Sequence, residues 1–202
     1  EGEIQRARST IGQSDWAERW YRNQKETADW VVSQSPGYIE AMIPELTPAN
    51  PYGFTCPNCV GKHSQEAAGN SLNQWSPRDP DRLECRKCAQ SYPDLRFPET
   101  RTLQAPRSGQ AFTYYENEAE RAQPDDRTGK LAWHWVGYPI HVSFSGILRE
   151  RKSSYMMNAV SSLALVYRFT GDPNYARTAR DVLLRLADCY RDWLYHDYWD
   201  TI

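Results

Sequence analysis

Two cysteine pairs, Cys56-Pro57-Asn58-Cys59 and Cys85-Arg86-Lys87-Cys88, stand 25 residues apart, and no other feature of the chain narrows its fold as much. Each C-x2-C wraps a tight turn, and two such turns let four thiolates converge on one ion at about 2.3 Å. Four soft sulfur ligands that leave no open position suit a structural Zn2+. The spacing therefore predicts one structural zinc held by Cys56, Cys59, Cys85 and Cys88. Two disulfides, four free thiols and a thioredoxin-like redox pair are the alternatives. The redox reading needs a strand–helix–strand pattern beside the motif, which is absent here. After each second cysteine, where glycine often eases the turn, the chain has Val60 and Ala89, with Gly61 one place late. His63 reads as a solvated loop histidine and Cys189 as a small core residue.

The cysteines lie in a stretch from Pro44 to Pro106 that holds most of the prolines and no helical period longer than a turn or two. A segment of that texture needs a staple other than a large core, and metal binding supplies one. The expected organisation is a helical segment over 1–43, a loop-rich, zinc-ribbon-like insert over 44–106, and further helices over 107–202. Helical periodicity is clear in two places. Asp15, with Glu18 three residues on, reads as the N-cap of a helix over 15–32, with Trp16, Trp20, Thr27 and Val31 on one stripe. Near the end, Met156, Val160, Leu163 and Tyr167 line one helix, and Thr170-Gly171-Asp172-Pro173 spells a left-handed stop, an N-cap and a first-turn proline. Tyr175, Ala179, Val182, Leu183, Leu186 and Tyr190 line the next. Such a hairpin cannot cover both of its apolar faces alone and is expected to pack among similar pairs.

Charge excludes one class of partner. The 202 residues carry 24 Lys and Arg against 26 Asp and Glu, a net charge of −2, scattered without the basic footprint of a nucleic-acid binder. No apolar run reaches the roughly 18 residues of a membrane span. Phosphate-cradling, H-E-x-x-H and G-x-S-x-G motifs are missing, so phosphoryl transfer, zinc proteolysis and serine hydrolysis have no signal. The aromatics lean to rings with a polar handle, 8 Trp and 13 Tyr against 5 Phe. Trp133, His134, Tyr138 and His141 fall within nine residues, and they are the candidates for lining a cleft where rings stack on sugars and a base exchanges protons. A core role for the tryptophans is the alternative.

Three pieces of the chain, taken together, resemble the N-terminal part of heparinase II/III-type polysaccharide lyases. They are Met42-Ile43-Pro44; the cysteine pairs with Trp75-Ser76-Pro77-Arg78-Asp79-Pro80 and Ser91-Tyr92-Pro93-Asp94-Leu95-Arg96-Phe97; and Leu163 to Tyr190 around Thr170-Gly171-Asp172. The resemblance implies a mainly α fold, the N-terminal part of an incomplete α/α toroid of helical hairpins, with a β-sandwich domain beyond it. It also implies β-elimination of a uronic-acid-containing polysaccharide, in which a polar group or cation neutralises the uronate carboxylate and a Tyr or His removes the C5 proton. The catalytic residues of such lyases fall in later toroid helices, so the chain is expected to be a fragment whose partners are the polysaccharide and the rest of the same polypeptide. A non-catalytic, zinc-braced glycan- or protein-binding helical module is the competing expectation. Polysaccharide degradation implies a secreted or periplasmic protein, although four reduced cysteines are easier to keep in a reducing compartment.

Overall fold

The computed structural model describes residues 2–46, 48, 54–59, 62, 71–104, 109–116 and 141–193. Among these residues the helices that come first are α1 (Gly2–Gln13), α2 (Asp15–Val32) and α3 (Tyr38–Met42). The described strands are β1 (Leu72–Ser76), β2 (Asp79–Cys85), β3 (Ser91–Tyr92), β4 (Arg101–Gln104), β5 (Ala111–Glu116) and β6 (His141–Val142). Two long helices, α4 (Phe144–Thr170) and α5 (Pro173–Tyr190), come last. The chain divides into two compact units, Glu1–Pro44 with Ser153–Arg191, and Glu45–Lys152 with Asp192–Ile202.

This architecture corrects the expected fold class. The described residues form no α/α toroid, and two three-stranded antiparallel sheets, ordered β1-β2-β3 and β4-β5-β6, stand where a loop-rich insert and further helices were expected. The alternation that announces a strand is broken in β1 and β2, whose pairing slips between Leu72 and Gln74 and again between Trp75 and Ser76. Pro80 sits in β2 because β3 pairs only with Leu83 and Glu84, leaving the proline no ladder bond to donate on that side. Its carbonyl accepts the Trp75 indole N–H at 2.9 Å.

In the helical unit, α2 covers the expected span but starts differently. Ser14 is the N-cap, it makes no side-chain cap bond, and Asp15 is the first helical residue. Trp16 and Trp20 are 64% and 46% exposed, and the face that is buried carries Ala17, Ala28 and Val31. In α4 the buried stripe is Met156, Ala159, Leu163 and Val166, so Met156 and Leu163 lie where expected, while Val160 is half-buried and Tyr167 is exposed. The turn into α5 follows the expected chemistry. Gly171 has φ +77°, Asp172 accepts the Asn174 N–H at 2.9 Å, and Pro173 opens the helix. Tyr175, Ala179, Val182 and Cys189 are buried on α5, whereas Leu183 and Tyr190 face solvent. Tyr175 donates its hydroxyl to Asp29 at 2.6 Å, Arg185 donates to the Ile43 carbonyl at 3.0 Å, and Ser162 donates to Gln24 at 2.7 Å. These bonds tie α5 to α2 and α3, and α4 to α2.

The second unit is built around one apolar cluster: Cys56, Cys59, Leu72, Leu83, Cys85, Tyr92, Val142, Phe144, Ile147 and Leu148. Phe144 stacks on Tyr92 with ring centres 4.6 Å apart. The α4 N-terminus in this unit is held by side chains. Gly146 N–H donates to Ser143 Oγ at 3.0 Å, and Glu99 accepts both the Ser145 N–H at 2.9 Å and its hydroxyl at 2.8 Å. Three of the cluster's ten residues are cysteines, so the unit's core and its candidate site are the same place.

Candidate metal centre

The sulfurs of Cys56, Cys59, Cys85 and Cys88 all lie within 4.8 Å of one another. Cys56 and Cys59 come from the turn that precedes β1, Cys85 ends β2, and Cys88 lies in the turn leading to β3. The antiparallel β1–β2 pairing and the Leu72 N–H bond to the Phe54 carbonyl at 2.9 Å bring the two turns together. Pairs form across the turns, Cys56 with Cys88 at 3.7 Å and Cys59 with Cys85 at 3.6 Å. A tetrahedron with sulfurs about 2.3 Å from its centre has edges of about 3.8 Å, so the donor set fits one metal ion. Cys56, Cys59 and Cys85 are fully buried, and all four are free thiols.

The surroundings treat the sulfurs unequally. Burial raises the Cys56 thiol to about 11 against the pull of the Tyr92 hydroxyl, and burial also raises Cys59. Burial works the same way on Cys88, but hydrogen bonds from the Asn58 amide and the Gln90 backbone bring it down to about 7. Cys88 is thus held toward the thiolate while Cys56 and Cys59 are held toward the thiol. Lys62 donates to Asn58 Oδ1 at 3.1 Å and Asn58 Nδ2 donates to Cys88 Sγ at 3.4 Å, so a cation stands one hydrogen bond behind that sulfur.

The second turn differs from the usual knuckle at one position. Ala89 takes φ +56°, the left-handed conformation for which glycine is the usual solution, and its N–H donates to the Cys85 carbonyl at 2.9 Å. A Cβ there costs about 1–2 kcal/mol, and the closed turn holds the residue in place.

Of the cleft candidates, Trp133, His134 and Tyr138 lie outside the described residues, as does His63. The backbone of His141 pairs with Glu116 in β6. Cys189 is buried in the other unit, with its sulfur 4.0 Å from the Ile43 carbonyl oxygen. Tyr92 and Asn58 are the residues that sequence reasoning missed. Asn58 stood in plain view inside the first turn, while Tyr92 reaches the site only through the β2–β3 pairing. No family model, curated protein or solved structure matches the chain.

Proposed function

We propose that Cys56, Cys59, Cys85 and Cys88 hold one structural Zn2+, and that the chain belongs to a polysaccharide lyase that cleaves a uronic-acid-containing polymer by β-elimination outside the cytoplasm. The gathering of four sulfurs within 4.8 Å of one another, two of the pairs at the edge length of a zinc–thiolate tetrahedron, carries the metal half of this reading. Zinc bound there supplies folding energy rather than chemistry, since a closed thiolate set leaves no position for water or substrate. The lyase half is supported by the resemblance of the cysteine segment and of the helix–Thr-Gly-Asp–helix segment to heparinase II/III-type enzymes. In that reaction, removal of the C5 proton needs the carboxylate neutralised and a base within hydrogen-bond reach. Trp133, His134, Tyr138 and His141 are the residues of this chain assigned to the glycan.

Elemental analysis of purified protein is expected to return close to one zinc per chain. No metal together with a mass deficit of two disulfides would remove the site. For the activity, the whole gene product is incubated with a panel of uronate polymers while the ultraviolet absorbance of the unsaturated product is followed. A rise with one polymer supports the lyase. Glycan binding without any rise would replace it by the non-catalytic module.

A further inference from the structure

The two cysteine turns are not built alike. In the second, the Lys87 N–H donates straight to Cys85 Sγ at 3.4 Å, the usual bond of such a turn. In the first, the corresponding N–H belongs to Asn58, and it points at the Tyr92 hydroxyl, 3.4 Å away. That hydroxyl oxygen lies 3.0 Å from Cys56 Sγ. A phenol has one proton to give and lone pairs to receive. A sulfur bound to a metal as thiolate has no proton of its own, so in the loaded site the phenol that accepts from Asn58 is the group that donates to Cys56.

Resting on the zinc reading above, we propose that Tyr92 is a positioning residue of the metal centre: its hydroxyl relays the Asn58 N–H to Cys56 and replaces the direct backbone bond of the first turn. The relay is fixed from behind. Tyr92 is 1% exposed, stacks on Phe144 with an interplanar angle of 12° and leans on Phe97 at 5.7 Å. The ring therefore cannot swing away without opening the core. An O–H donor at a thiolate draws charge off sulfur, and hydrogen bonds of this kind hold ligands in place and tune the metal. The bond lowers the electron donation of Cys56 to the metal and slows attack on that sulfur by electrophiles. Cys56 is thereby the quietest ligand, in keeping with a bracing role.

Tyr92→Phe keeps both ring contacts and deletes only the relay. Zinc and Co2+ are loaded into the full chain, with wild type in parallel. Zinc affinity by chelator competition is expected to fall about 10-fold, and the sulfur-to-cobalt charge-transfer band to move to lower energy. A merely structural tyrosine would not move that band. Equal affinity and an unmoved band in a variant that binds one metal would overturn the relay while leaving the zinc site standing. Wild type that binds no metal would instead overturn the zinc reading itself. Should Tyr92→Phe fail to take up metal, 3-fluorotyrosine at position 92 decides. It keeps the hydroxyl and strengthens it as a donor, so the band must shift to higher energy, and no shift refutes the relay.

Discussion

Chelation of the metal is expected to unfold one of the two units and spare the other. Structural zinc sites bind with about 10–16 kcal/mol at neutral pH, and 12 kcal/mol corresponds to a dissociation constant of about 1 nM. At micromolar free zinc, roughly a thousand times that value, binding stabilises the folded unit by about 4 kcal/mol. Domains have about 5–15 kcal/mol in all, and here three of the ten clustered core residues are the ligands themselves. At about 4–8 °C per kcal/mol, the melting temperature of the sheet unit should drop by about 15–30 °C. Hydrogen exchange read by mass spectrometry separates the units. Amides of Leu72–Ser76 and Asp79–Cys85 should lose protection when a zinc chelator is added, while Asp15–Val32 and Pro173–Tyr190 should keep theirs. Because the Cys56 thiol holds its proton to about pH 11 when no metal is present, loading must release protons, and the same loss should follow from lowering the pH. Strands that stay protected in the metal-free protein, or a melting shift below about 2 °C, would refute the claim that zinc supplies folding energy.

Three substitutions probe the scaffold. Ala89→Gly relieves a positive φ and should stabilise the sheet unit by about 0.5–1 kcal/mol, the relief outweighing the added freedom of the unfolded chain; a lower melting temperature would contradict the strain. Glu99→Ala strips the α4 N-terminus of both bonds to Ser145 and should cost about 1–2 kcal/mol in denaturant unfolding, with no change in zinc content. Tyr175→Phe removes a hydrogen bond to Asp29, which is nearly half exposed, so solvent screening brings the cost at neutral pH to about 1 kcal/mol, below the range for a buried charged partner. Partial burial acts against it, but bonds from Lys25 and Tyr175 hold the Asp29 carboxyl below its usual value. A lowered folded value means that this stability is present above about pH 4 and lost as the pH falls through it. The difference between Tyr175→Phe and wild type should therefore shrink in acid, and a pH-independent difference would refute the charge-assisted bond.

What the sequence reveals of this molecule depends on whether a local rule is enough. Ligand spacing is such a rule, because C-x2-C closes on an ion whatever lies around it, and the four cysteines meet as their spacing implies. The Thr170-Gly171-Asp172-Pro173 turn is another, since each residue answers to its own backbone position. Periodicity reports that a helix has an apolar side without saying which part of that side finds a partner. Trp16 and Trp20 recur at helical spacing and yet face solvent, while the smaller Ala17 and Ala28 are buried. The first helix, Gly2–Gln13, buries no residue at all and left no stripe to find. The strands escaped for a different reason. β1 and β2 carry two register slips within a few residues, and β3 and β6 are two residues long, too short for an alternation to show.

The handling of charge at the sulfurs decides what such a centre is for. Four thiolates on a divalent cation carry a net −2, and the hydrogen bonds described at the four sulfurs come from no Lys or Arg side chain. The donors are the Tyr92 hydroxyl at Cys56, the Lys87 N–H at Cys85, and the Asn58 amide and Gln90 N–H at Cys88. Fixed dipoles stabilise an anion without the desolvation cost of a buried cation, and they do not open an exchange path as a mobile ammonium would. Lys62 acts only through Asn58, so its substitution should polarise that amide less and touch Cys88 alone. Lys62→Met tests this distribution of roles. The metal-free Cys88 thiol should titrate higher, because its donor is weakened, while Cys56, served by Tyr92, should not move. A matching shift at both sulfurs, followed by alkylation rate against pH, would mean that long-range charge governs the centre and that the individual hydrogen bonds do not.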